Sequence, residues 1–89
     1  MKYTLHLTRK GKEDLLNLEK IVQKRVVKKL RYFMSRGDPL HYAKKLKDNR
    51  LGTYRFRFGD YRIIFDINKD GKLIILIILR IKHRKEAYL

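Results

Sequence analysis

Arg55, Arg57 and Arg62 flank a Gly59-Asp60 step within the stretch Tyr-Arg-Phe-Arg-Phe-Gly-Asp-Tyr-Arg-Ile-Ile-Phe, residues 54–65. A guanidinium is always charged, planar and rich in donors, which suits it to clamp a phosphate. Spacing decides whether the three can act together. Aromatic and arginine alternate, and a Gly-first two-residue loop between two such runs predicts a β-hairpin with a primed turn. In that register Phe58 opposes Tyr61, Arg57 opposes Arg62 and Phe56 opposes Ile63. Tyr54, Phe56, Phe58, Tyr61, Ile63 and Phe65 then share one face, and the arginines gather on the other. Like charges directly opposite each other destabilise a sheet, so the concentration points to an anionic ligand. Lys82 and Arg84, where the last strand ends, add cations that would hold a phosphodiester from another side. The alternative is a solvated basic face, with Arg57 and Arg62 paired to Asp60 or Asp66.

Two nearby residues have proton-transfer chemistry. A histidine side chain can act as acid or base near neutral pH, which makes His83 a candidate for either role. Tyr88 has an ordinary pKa of about 10, which adjacent Arg and Lys charges would lower by stabilising the phenolate. It would serve as a base or stack on a nucleobase. The competing readings are a surface histidine and a tail aromatic packed on the domain. Other site types fail: the five glycines are isolated, and Ser35 is the only serine. The three histidines lack the spacing of metal ligands, so no metal and no cofactor is expected. Glu13, Asp14 and Glu19 fall on a helical segment, where solvated pairs with lysine are the default.

The surrounding composition fits a polyanion binder. Against 9 Asp+Glu stand 24 Lys+Arg, a net charge of +15, which attracts nucleic acid, anionic membranes or acidic proteins. Without cysteine, neither a disulfide framework nor a thiolate metal site can form. The N-terminus lacks a signal-peptide profile. The longest apolar run, Leu73 to Leu79, is far shorter than the roughly 20 residues of a spanning helix. The expectation is a cytoplasmic protein of one domain, residues 1–89, that does not act on membranes.

The elements that must position these residues follow from periodicity. Lys2 to Leu7 alternates as a short strand, with Thr8 as N-cap for a helical segment. Leu15, Leu18, Val22, Val26, Leu30 and Phe33 recur at spacings of three and four, and Leu16, Val27 and Met34 widen the stripe. Periodicity allows one helix from about Lys10 to Ser35 or a helical hairpin broken near Leu18 to Lys20. Gly37 and Pro39 end it. His41 to Arg50 reads as a connector with one helical turn. Leu51 to Phe58 and Tyr61 to Ile67 form the hairpin, and Asn68 to Gly71 the next turn. Lys72 to Ile81, nearly all apolar, reads as a strand buried on both faces. The class is α+β: an N-terminal strand, one or two helices, and a three-stranded antiparallel C-terminal meander, with helices on the aromatic face of the sheet.

This order, the segment Leu51 to Arg62 and the closing His-Arg-Lys-Glu-Ala-Tyr at 83–88 resemble the RelE/ParE toxin superfamily. The likeness runs over nearly the whole chain, and it implies a helical pair between about Lys10 and Ser35. It implies the toxin of a type II toxin–antitoxin system: a ribosome-dependent endoribonuclease cutting mRNA in the decoding site, held inactive by an acidic antitoxin. The family's basic hairpin residues match Arg55, Arg57 and Arg62, its C-terminal basic residue Lys82 or Arg84, and its terminal tyrosine Tyr88. In the implied reaction the 2′-hydroxyl attacks the adjacent phosphate. Tyr88 takes or orients its proton, Arg62 stabilises the developing charge, and His83 protonates the leaving 5′-oxygen. Arg55 and Arg57 stand where some relatives have lysine, and an arginine cannot serve as general base.

Two other functions fit the same residues. A ParE-like member would poison DNA gyrase without cutting RNA. A non-catalytic RNA- or ribosome-binding module would need only the electrostatics.

Overall fold

The computed structural model describes residues 2–47 and 53–83. Arg84 and Tyr88 lie outside the described residues, as does the expected start of the hairpin at Leu51. The chain runs β1 (Lys2–Leu7), α1 (Arg9–Leu16), α2 (Lys20–Ser35), a 3-10 turn (Pro39–Tyr42), β2 (Ala43–Lys45), β3 (Tyr54–Phe58), β4 (Tyr61–Asp70) and β5 (Leu73–His83). The five strands form one sheet in the order β1-β5-β4-β3-β2, with β1 parallel to β5 and every other pair antiparallel.

Local chemistry sets the element ends. Thr8 Oγ1 accepts a hydrogen bond from the Gly11 N–H at 3.1 Å, the expected N-cap. The helical segment is a pair, broken at 17–19, and Gln23 ties the break by donating to the carbonyls of Leu16 and Leu18. Gly37, at φ 85°, takes the left-handed position beyond the end of α2. Gly59 and Gly71, at φ 55° and 60°, open the two hairpin turns, the positive-φ position of a Gly-first primed turn. The second turn is tighter than expected, because β4 continues through Asp70.

Helix α2 covers the aromatic face of the sheet. Val26, Leu30 and Phe33 bury against Phe56, Ile63, Phe65, Ile74, Leu76, Ile78 and Ile81. Phe33, Phe56 and Phe65 stack at centroid distances of 4.6 and 4.4 Å, a rigid floor beneath the hairpin. Leu16, expected to widen the stripe, is 61 % exposed. It lies one step round α1 from Leu15, off the face that Gly11 and Asp14 turn to the sheet.

Two further features differ from expectation. The connector forms its single turn at Pro39–Tyr42 and then a three-residue edge strand, β2, paired to β3. Strand β5 is not buried on both faces: Ile74, Leu76 and Ile78 are buried, whereas Leu73, Ile75, Ile77 and Leu79 are half-buried. The helices cover one face only, so burial alternates although the sequence does not. The alternation breaks once. Ile64 of β4 pairs with Arg80 and Phe65 with Ile78, leaving Leu79 as an extra residue in a β-bulge. Ile78 and Ile81, three apart, therefore both point into the core.

Candidate nucleic-acid interface

The open face of the sheet carries two rows of cations. In the first, Arg57 of β3 pairs with Arg62 of β4, which pairs with Lys82 of β5. In the second, Lys44 of β2 pairs with Arg55 of β3, Arg55 with Ile64, and Ile64 with Arg80. Neighbouring strands lie about 4.8 Å apart, so the three members of the first row span about 10 Å. Ile64 is 3 % exposed and stands apart from the helix-side core cluster. The basic rows thus have an apolar centre, where charge interactions are stronger than in open water.

The structure brings Arg55, Arg57, Arg62 and Lys82 together as expected. It places His83 differently from the other site residues: His83 pairs with Tyr61, and their rings meet edge to face at 5.2 Å. Tyr61 shares its face with Phe58 and Ile63, so His83 stands on the helix side of the sheet, opposite to Arg62 and Lys82.

Three residues at the site escaped the sequence reading. Lys44 joins it through a strand too short to recognise. Arg80 and Asp14 form a two-pronged ion pair, with Arg80 Nε donating to Asp14 Oδ2 at 2.7 Å and Nη2 to Oδ1 at 3.1 Å. The same Oδ2 accepts the Ile81 N–H at 2.9 Å. Asp14 is therefore no solvated helix carboxylate, whereas Glu13 does make the exposed helical pair, with Arg9. Burial pushes the Asp14 carboxyl up, but the hydrogen bonds from Arg80 and Ile81, with the charges of Arg80 and Lys82, hold it below the ordinary carboxylate value. The one available signal was Arg80 itself, the single cation within the apolar run 73–81. On the same face, Asp66 accepts the Thr53 N–H at 2.7 Å, which anchors the entry to β3.

On the helix side, an apolar groove of about 430 Å³ opens between β1, α1 and α2. Leu5, Leu7, Leu15, Val27 and Met34 line it, with Arg31 at its polar rim. Among the described residues, no cluster of His, Asp and Glu could hold a metal ion, and no helix is long and apolar enough to cross a membrane.

A family model described as the ParE toxin of type II toxin–antitoxin systems, parDE, matches residues 5–88. The chain belongs to this toxin family. Toxin RelG of Mycobacterium tuberculosis (strain ATCC 25618 / H37Rv) is 33 % identical over 88 residues, which cover 99 % of this chain and 98 % of that protein. The toxin–antitoxin complex RelBE2 from Mycobacterium tuberculosis contains a chain that superposes with a TM-score of 0.74 at 30 % identity, covering 94 % of this chain and 100 % of that one. A chain of the archaeal RelE–RelB complex from Pyrococcus horikoshii OT3 gives a TM-score of 0.65 at 26 % identity, over 94 % and 97 % of the two chains. The toxin thus has the RelE-like α+β fold that the resemblance implies, with two helices over one face of a five-stranded sheet.

Proposed function

We propose that this toxin is an endoribonuclease that cleaves mRNA on the ribosome by attack of a 2′-hydroxyl on the adjacent phosphate. The observation that carries the reading is the row Arg57–Arg62–Lys82, held across three strands on the face without helices. A phosphate over Arg62 would have a cation on either side along the row, with Arg55 in the neighbouring row. In-line attack builds negative charge on the phosphoryl oxygens. Cations fixed in a sheet stabilise that charge without reorganising. The arginines cannot take the 2′-proton at any working pH; the resemblance to the family assigns that proton, or its orientation, to Tyr88. For the proton donated to the leaving 5′-oxygen, geometry favours Lys82, on the face of Arg62, over His83, on the other. Arg84 would add phosphate binding beyond the strand end. The reaction uses side chains alone, without a metal or cofactor.

The solved relatives are complexes with RelB antitoxins, which supports a cognate antitoxin as this toxin's partner. The net charge of +15 favours an acidic one. The expected contacts are the basic helical face and the groove beside the hairpin, lined by Tyr54, Asp66 and Ile67. The apolar groove against β1 gives a third surface to cover. Messenger RNA and ribosomes as targets imply action in the cytoplasm.

A second reading is inhibition of DNA gyrase, favoured by the ParE description of the matching family. Primer extension on a reporter mRNA after brief induction of the toxin alone, with translation allowed or blocked, separates the two. Cuts confined to translated message are expected. Intact message with arrested growth and blocked supercoiling would move the assignment to gyrase.

A further inference from the structure

Strand β5 reaches the basic face only because of its bulge. Up to Ile78 its even-numbered residues point into the core: Ile74, Leu76 and Ile78. A regular strand would continue the pattern and send Arg80 and Lys82 inward and Ile81 outward. The extra residue at Leu79 reverses this, so Ile81 enters the core and Lys82 pairs with Arg62 on the open face.

The bulge is held from outside the sheet. Strand β1 pairs with β5 from Leu73 to Ile78 and goes no further. From there α1 takes over the free edge of β5. The Thr8 N–H donates to the Ile78 carbonyl at 3.0 Å, and the Thr8 hydroxyl lies 3.0 and 3.2 Å from the carbonyls of Ile78 and Leu79. Gly11 packs so closely that a Cβ would sit 2.5 Å from the Ile78 oxygen. Asp14 then accepts the Ile81 N–H and grips the Arg80 guanidinium. The N-cap Thr8 and, at steps of three, Gly11 and Asp14 of α1 form one face fitted to residues 78–81. Of these contacts, only those of Asp14 reach the far side of the bulge, where the strand must restart with Lys82 outward.

We propose that Asp14 is a positioning residue for the phosphate-binding row: by pinning the bulge through Arg80 and the Ile81 amide, it fixes Lys82 on the face of Arg62. The proposal deepens the RNA-cleavage reading and rests on it for the role of Lys82, but its geometric half stands apart from any reaction.

Two readouts on the purified toxin test it. The first is the backbone nuclear Overhauser contact between Arg62 and Lys82. It is expected in the wild type and lost in Asp14→Ala, with Ile81 or His83 opposite Arg62 instead. The second is RNA: a single-stranded oligonucleotide for binding and a translated message for cleavage. Lys82→Ala is expected to lower the slope of log K against log salt by about 0.7, one phosphate contact on a single strand. Asp14→Ala should match that change and lower cleavage on the order of 100-fold. In the Lys82→Ala background it should add nothing further. Should Asp14→Ala fail to fold, Asp14→Asn keeps the shape and an acceptor for the Ile81 amide while removing the charge that grips Arg80, and takes the same measurements. An Arg62–Lys82 contact that persists without Asp14 overturns the proposal, and so do effects of Asp14 and Lys82 that simply add. A wild type that leaves RNA intact overturns the proposed reaction instead, and the Overhauser contact still decides the positioning.

Discussion

Arg57 and Arg62 face each other across the β3–β4 hairpin, two cations at a single ladder position. Opposed like charges weaken a strand pair, a cost that the proposed phosphate site would offset by binding an anion. Arg57→Thr removes the conflict and places a β-branched residue on an exposed strand position. The variant should be more stable by about 0.2–1 kcal/mol, seen as a higher urea midpoint, and should bind RNA less tightly with a shallower salt dependence. A lower midpoint would mean that the two guanidinium groups are not in conflict.

Close packing of α1 on β5 depends on one missing methyl group. A Cβ on Gly11 would meet the backbone oxygen of Ile78 at 2.5 Å, where no flexible side chain can give way. Gly11→Ala gains helix propensity and is still expected to destabilise, by about 1–3 kcal/mol, the usual range for overpacking. Thermal unfolding measures it. A raised melting temperature would show that α1 slides along the strand at little cost.

Acid should release the Asp14 clamp. Its carboxyl is held below the ordinary value in the folded chain. A carboxylate of that kind contributes stability that is complete above the unfolded-state pKa and lost as pH falls through the folded one. The urea midpoints of the wild type and Asp14→Asn should therefore differ most near neutrality and converge as the pH falls below the ordinary Asp value of about 3.9. A constant gap across that window would place the stabilisation elsewhere than in the ionised carboxylate.

Placement of His83 beside Tyr61 makes a prediction about roles. His83→Gln should keep most of the proposed RNA-cleaving activity. By the proposed mechanism, Arg62→Ala should lose cleavage by on the order of 100-fold or more, since it would remove a cation from the charge that develops in the transition state. Single-turnover cleavage of translated message compares the two. A His83→Gln loss as deep as that of Arg62→Ala would return His83 to the reaction as the acid.

The hairpin was legible because two independent signals agreed: alternation over residues 54–58 that resumes at 61–63, and a Gly-first turn that fixes the register. The observed pairs Phe58–Tyr61, Arg57–Arg62 and Phe56–Ile63 are the expected ones. In β5 the first signal was absent. An unbroken apolar run has no phase, so neither the alternating burial of residues 73–79 nor the bulge at Leu79 could be read from it. The role of Asp14 was hidden for a different reason. Its partner Arg80 lies 66 residues away, whereas Lys10, one helical turn back, suggests a local pairing. Strand β2 is three residues long and mostly lysine, below what any pattern can register.

One strand holds part of the core and the proposed phosphate-binding Lys82. Ile74, Leu76, Ile78 and Ile81 of β5 are buried, and Lys82 follows at once on the basic face. For a poison this has a genetic consequence. Within this one short stretch of the gene, lesions that lose the protein and lesions that lose only its activity should lie side by side, and survival does not tell these apart. Changes at the buried isoleucines should leave little toxin in the cell, while changes at Lys82 should leave it abundant, harmless and still able to titrate the antitoxin. Escape alleles of the second kind would free any later, intact copy of the toxin from its guard.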